Sequence, residues 1–287
     1  MRASSSTPSR RPTPSSVTTP GPSTSSPDRA RTRRPTIPTP APEDVFGHAL
    51  LDWARGATAP ELLEREDGFT QEGAGPAVYL AGPRAWPTAE RHALRYARGR
   101  VLDVGCGAGR VALELQRRGV GVVGLDASTE AARAASLRGV GEVWPERLED
   151  VGERLGAFET LVLFGNNVGI FESPEGVRAG FAWLATHCAP GARVLAESTS
   201  PHFAGAPGLD RRYVRHNVER GLAPGRLRVR YHYDGRVGPW FTWVFLAVRE
   251  LRAALGGTGW RVEHVVRSGV GDPYVAVLTL EAPGTRR

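Results

Sequence analysis

The sequence contains no lysine, only two cysteines and no long apolar run, and each shortage removes a class of protein. Two cysteines in 287 residues, Cys106 and Cys188, are too few for a disulfide framework. Cys106 also lies inside a glycine loop, where a small side chain is required. No run of about 18 apolar residues occurs, which excludes a membrane-spanning helix. The amino-terminal stretch is basic but lacks the apolar core of about 7–15 residues that marks a secretory signal. A reducing cytoplasm is therefore the expected location. Every cationic side chain is an arginine, a skew attributed to genome composition.

The formal charge of +7 is unevenly spread. Seven arginines against Asp28 give residues 1–40 a charge of +6 and leave +1 for all the rest, so the high pI belongs to a tail. Ser, Thr and Pro fill 26 of those 40 positions, and Val17 and Ile37 are the only β-branched aliphatics there. Nothing in that composition offsets the entropy of ordering the chain, so residues 1–42 are expected to be disordered. A basic arm for nucleic acid is the alternative, but its arginines are sparse and no aromatic residue is interleaved for stacking.

Residues 43–98 read as a helical cap. Val45, Leu50, Leu51 and Trp53 suit a short amphipathic helix, Ala59–Glu66 a second, and Thr88 can cap a third running through Tyr96. Between them, Gly68 to Pro87 is a Gly/Pro-dense loop carrying Phe69, Tyr79 and Trp86.

From Arg100 the pattern alternates. Strands are expected at Val101–Val104, Gly121–Leu125, Val140–Trp144, Thr160–Phe164 and Arg193–Glu197, with helices between that start at Gly109, Ser128 and Ser173-Pro174. A helix at Phe245–Leu255 and strands at Trp260–Val266 and Tyr274–Leu280 complete the series. Residues 201–243 interrupt it as an insertion with one strand, Arg226–Tyr233. Alternation of this kind predicts an α/β, doubly wound, mostly parallel sheet with helices on both faces, spanning residues 99–287.

The strongest local signal is Asp103-Val104-Gly105-Cys106-Gly107-Ala108-Gly109-Arg110. A strand entering a glycine loop and then a helix lets backbone approach a ligand closely, with helix N-terminal amides facing it. A dinucleotide loop needs its last glycine at position 110, which is Arg110. Asp103 would repel a pyrophosphate but can pair with an ammonium group. Asp126 closes the next strand about 20 residues after Gly105, the separation that sets a carboxylate beside a ribose one strand over. Its two acceptor oxygens suit a vicinal diol, a plain helix cap being the alternative.

These residues resemble the class I S-adenosylmethionine-dependent methyltransferases, small-molecule type. Asp103-x-Gly105-x-Gly107-x-Gly109 is similar to their first motif and Gly124-Leu125-Asp126 to their second. The resemblance implies a Rossmann-like seven-stranded sheet with a reversed edge strand, and S-adenosyl-L-methionine as cofactor. It implies that Gly105 and Gly107 line the methionine end, that Asp103 orients the amino group and that Asp126 binds the ribose. The implied cofactor site also takes in Cys106, Gly109, Ala127, Gly165, Asn166 and, for adenine, Glu146.

On the acceptor side, Gly165-Asn166-Asn167 ends the fourth expected strand, and amide side chains can orient a nucleophile. Asn166 and Asn167 are thus candidate catalytic residues, with turn geometry as the plainer explanation. His202 is a candidate base because its neutral pKa range suits proton transfer; His216 and Tyr79 are weaker ones. Arg226, Arg228, Arg230 and His232 alternate with apolar residues, so they share one strand face, either for an anionic acceptor or as a solvated surface. Trp240, Phe241 and Trp243 read first as core. The expected partner is a small methyl acceptor, with neither nucleic acid nor membrane; no metal is expected. An RNA or protein methyltransferase using the tail, a non-catalytic cofactor-binding module and a nicotinamide dehydrogenase are the alternatives.

Overall fold

The computed structural model describes residues 44–202, 208–269 and 273–282. The expected disorder of residues 1–42 lies outside them. Asp44 caps the first helix, α1 (Val45–Ala54), by accepting the Gly47 N–H at 3.1 Å. The same carboxylate accepts the Ser128 hydroxyl at 2.7 Å, so one side chain joins the starts of two distant helices.

The stretch expected as a second helix, Ala59–Glu66, instead holds β1 (Leu62–Arg65), paired antiparallel with β2 (Thr70–Glu72). Eight residues are too few for helix propensity to hold alone, and pairing with another strand wins. After α2 (Pro76–Tyr79) comes α3 (Thr88–Ala93). Pro87, not Thr88, precedes its first turn; the Thr88 hydroxyl accepts from the Arg91 side chain at 2.9 Å. The expected extension through Tyr96 is a separate 3-10 turn, Leu94–Tyr96.

Next come β3 (Val101–Val104), α4 (Arg110–Arg117), β4 (Val122–Leu125), α5 (Thr129–Leu137), β5 (Val143–Trp144), α6 (Leu148–Val151), β6 (Thr160–Leu163), α7 (Pro174–His187) and β7 (Arg193–Ser198). Ser128 caps α5 and Ser173 caps α7, accepting the Ala131 and Gly176 N–H groups at 2.9 Å each. The chain ends with α8 (Arg211–Glu219), β8 (Arg226–Tyr233), β9 (Arg236–Val237), β10 (Phe241–Val244), α9 (Val248–Leu255), β11 (Trp260–Arg267) and β12 (Tyr274–Leu280). Among the described residues no helix is long and apolar enough to cross a membrane.

Seven strands form the main sheet in the order β11-β12-β7-β6-β3-β4-β5. The strands from β7 to β5 run parallel; β12 opposes both its neighbours. The reversed strand is thus one place in from the edge, with β11 outside it. Burial on both faces explains the nearly continuous apolar strands. Leu102, Leu161, Leu163 and Val194 pack toward Phe181 and Leu184 of α7, while Val101, Val162, Leu195 and Val277 pack toward Ala89, Ala112 and Leu115.

A second, antiparallel sheet has the order β10-β8-β1-β2, with β9 on the end of β8. The cap and the insertion, read as separate pieces in the sequence, therefore share one sheet. Three of the four residues in its basic stripe are answered internally: Glu64 takes Arg230 at 2.8 Å and His232 at 2.5 Å, and Glu66 takes Arg226 at 2.8 Å.

Candidate active site

β3 is followed by β4 on one side and, later in the chain, by β6 on the other, so the strand order reverses at its carboxyl end. Such a switch point opens a crevice between the connecting loops. The glycine loop sits there, with Gly105, Gly107 and Gly109 all left-handed at φ 66°, 54° and 77°. A Cβ on Gly105 would stand 2.4 Å from Asn167 Nδ2, and one on Gly109 2.4 Å from Val140 Cγ2. On Gly107 it would meet only Leu50 Cδ1, at 3.7 Å, so the space in front of that residue is open. Cys106 turns the other way, buried against the bare Cα of Gly124.

The Gly107 N–H donates to Asp126 Oδ2 at 2.8 Å, and the Ser128 N–H to Asp126 Oδ1 at 2.9 Å. A carboxylate has about four lone-pair sites, so acceptor capacity remains on both oxygens. Burial raises the Asp126 pKa to about 6 against the pull of those two amides, and the nearby Asp44 charge adds to the rise. Ala127 is exposed beside it. Open space before Gly107 and spare acceptors on Asp126 are what an adenosyl amino acid requires of this loop.

Asp103 is buried, and its Oδ2 accepts the Ala112 N–H of α4 at 3.1 Å. Burial pushes its pKa to about 7, with Arg110 opposing. Three neighbours were not among the sequence candidates. Arg110 grips Glu90 with both nitrogens, at 2.6 and 2.5 Å, and lies over the Trp86 ring at 4.9 Å. Glu197 is held well above the usual carboxylate range by burial first and by the Glu90 charge second, and its Oε2 accepts the N–H groups of Gly165 and Asn166. In the sequence Glu90 reads as a first-turn acid, Arg110 as the residue that breaks the dinucleotide pattern and Glu197 as a strand end. Long separations hide their meeting.

The two asparagines do different jobs. Asn167 is buried and donates through Nδ2 to the Val104 and Gly105 carbonyls, at 2.8 and 3.0 Å. Its Nδ2 is thus spent on holding the glycine loop. Asn166 adopts the left-handed conformation, φ 61°. Its carbonyl accepts from Trp243 Nε1 at 3.0 Å and its Oδ1 from the Thr199 hydroxyl at 2.8 Å, leaving Nδ2 as its one group without a partner among the described residues.

His202 goes elsewhere. Its Nε2 lies 2.8 Å from Glu250 and 3.2 Å from Arg249, both on α9, and no contact among the described residues brings it to Asn166 or the glycine loop. Glu146 pairs with Arg154, whose guanidinium covers the Trp144 ring at 4.5 Å.

A row of half-buried rings links the two sides of the crevice. Phe46 on α1 stacks on Tyr231 at 4.7 Å and meets Tyr79 edge-on at 5.1 Å; Tyr231 continues to Phe241 at 5.4 Å, and Phe241 to Trp243 at 6.1 Å. The row begins in the cluster that contains Ala108 of the glycine loop and ends at Asn166.

Residues 101–191 match the family model described as a methyltransferase domain. Among solved structures, a SAM-dependent methyltransferase from Bacteroides fragilis, in complex with S-adenosyl-L-homocysteine, is similar at 26% identity over 85% of this chain and 98% of that one, with a TM-score of 0.70. The same fold recurs in a SAM-dependent methyltransferase from Methanosarcina mazei (19% identity, 65% of this chain and 95% of that one, TM-score 0.52). It recurs too in the CcbJ methyltransferase from Streptomyces caelestis (16%, 84% and 99%, TM-score 0.53). No curated protein matches the chain. The motif, the fold and these likenesses identify residues 101–191 as the domain of a class I S-adenosylmethionine-dependent methyltransferase.

Proposed function

We propose that this chain methylates a small organic acceptor, using the crevice between the glycine loop and Asn166. When bound, S-adenosylmethionine supplies a methyl group already activated on a sulfonium. The protein's own task is alignment and exclusion of water, and near-attack alignment contributes up to about 7–11 kcal/mol. Asp126 would take the ribose hydroxyls on its unused lone pairs, and Asp103 would face the ammonium group. Gly105, Gly107 and Gly109 would admit the methionine end, with Cys106, Ala127 and Gly165 contributing backbone and Glu146 a weaker contact toward adenine.

Asn167 acts in this reading as a positioning residue for Gly105. Asn166, held by four hydrogen bonds, presents its free Nδ2 to the acceptor. Over their described residues, 44–98, 201–202 and 208–243, the cap and the insertion together form the lid in this reading. The observation that carries the small-acceptor reading is the row of half-buried rings from Phe46 to Trp243, since apolar and aromatic walls with few polar groups are typical of small-molecule sites. The near-neutral charge outside residues 1–40 and the internal pairing of Arg226, Arg230 and His232 argue against a large polyanion.

A screen of small acceptors for S-adenosylhomocysteine formation, run on the full chain and on a chain lacking residues 1–40, tests this. Equal turnover of a small acceptor by both supports the proposal. Methylation of RNA or protein alone, lost with the tail, would replace it. Cofactor binding with no turnover of any acceptor would make the chain a non-catalytic module.

A further inference from the structure

Asp44 stands where two helices begin. Its Oδ1 accepts the Gly47 N–H at 3.1 Å in the first turn of α1, and its Oδ2 accepts the Ser128 hydroxyl at 2.7 Å and the Glu130 N–H at 3.4 Å where α5 starts. Ser128 faces two ways. Its hydroxyl donates to Asp44, while its N–H donates to Asp126 Oδ1 at 2.9 Å. A single residue thus bridges the carboxylate that caps α1 and the carboxylate beside the glycine loop. Gly47 permits the close approach, since a Cβ there would stand 2.1 Å from Ser128 Oγ and 2.4 Å from Asp44 Oδ1. Glycine weakens a helix relative to alanine, so its place in α1 is explained by the closeness it allows.

From this anchor α1 carries two side chains to the crevice. Leu50, fully buried, brings its Cδ1 to 3.7 Å from where a Gly107 Cβ would stand, and Phe46 stacks on Tyr231 at the head of the ring row. We propose that Asp44 is a positioning residue of the cofactor site: by fastening α1 to Ser128 it sets the distance from Leu50 to Gly107, and with it the width of the space that the cofactor enters. This rests on the reading of the crevice as the cofactor site. The same fastening reaches the acceptor side through Phe46. With the Asp44–Ser128 bond broken, the first turn of α1 lifts from α5 and draws Leu50 away from Gly107 and Phe46 away from Tyr231. Methyl transfer tolerates little displacement of this kind, because its rate depends on near-attack alignment.

Calorimetric titration of S-adenosylhomocysteine into the full chain and three variants tests this, with circular dichroism confirming that each is folded. Asp44→Ser can still cap α1 with its hydroxyl but is too short to hold Ser128 as well. Asp44→Asn can do both, accepting the Gly47 N–H and offering its Nδ2 to Ser128 Oγ. Gly47→Ala keeps all of these hydrogen-bonding groups and wedges a methyl group between α1 and Ser128. Asp44→Ser and Gly47→Ala should each weaken binding by about fivefold to tenfold, within the range of a single hydrogen bond, and Asp44→Asn should stay within about threefold of wild type. Wild-type affinity in either Asp44→Ser or Gly47→Ala, or a loss in Asp44→Asn as large as that in Asp44→Ser, overturns the proposal while leaving the cofactor site intact. No saturable binding by folded wild-type protein would overturn the cofactor site itself, and this inference with it.

Discussion

The Asp126 carboxylate, at the end of β4, accepts the Gly107 N–H across the crevice at 2.8 Å. One hydrogen bond thus joins the loop after the first strand of the domain to the acidic end of the second, and fixes how far apart the two ligand-facing elements stand. Asp44 extends the arrangement through Ser128, which brings α1 and its Phe46 over the same place.

Gly105 tests the loop geometry. Gly105→Ala asks an L residue to hold φ 66° and drives a methyl group into Asn167 Nδ2. The left-handed conformation alone costs about 1–2 kcal/mol. Removing the obstacle in the double variant with Asn167→Ala should recover only part of the loss. Chemical denaturation of the four proteins of the cycle measures both parts; full recovery in the double variant would mean that backbone strain contributes nothing.

Asn167 is predicted to matter through the loop and not through the acceptor. Asn167→Ala leaves two carbonyls without their donor, at a cost of about 1–3 kcal/mol for buried groups. Asn167→Asp should be worse, because it sets a carboxylate against the carbonyls of Val104 and Gly105. Thermal melts rank the variants, and an Asp variant as stable as wild type would contradict the assignment.

His202 should prove dispensable. With its imidazole on Glu250, His202→Ala is expected to leave kcat within about threefold of wild type once an acceptor is known. A general base typically contributes about 100-fold or more, so a loss of that size would return His202 to the reaction.

The unliganded protein should lose stability as pH rises. Folding raises the Asp126 pKa to about 6 and that of Asp103 to about 7, whereas an unfolded aspartate titrates near ~3.9. Between those values the folded state binds protons that the unfolded state does not, so the stabilisation is complete below about pH 4 and is lost as pH climbs through 6 and 7. Melting midpoints should be higher at pH 5 than at pH 8, with a smaller gap for Asp103→Asn. Equal midpoints at the two pH values would contradict the burial of these carboxyl groups.

Much of the domain is legible in the sequence because its signals are local. The turn after Val101–Val104, the Ser128 and Ser173 caps and the buried strands each announce themselves within a few residues. The second sheet does not: β1 is four residues long, and its partner β8 lies more than 160 positions away, so only tertiary pairing makes it a strand. The same limit hid Glu90, Arg110 and Glu197, which carry no shared spacing, and the ring row from Phe46 to Trp243. Asn166 and Asn167 were visible as a pair, but which amide stays free depends on the Val104 and Gly105 carbonyls and on Thr199, whose placement only the fold supplies.

The most direct test of the account is calorimetric titration of S-adenosylmethionine into wild-type protein and into Asp126→Ala. Saturable one-to-one binding is predicted for the wild type, weakened in the variant by about 10-fold to 100-fold, as expected for hydrogen bonds to a charged group worth about 1.5–3 kcal/mol. Folded wild-type protein that takes up no cofactor, or a variant that binds as tightly as wild type, would contradict it.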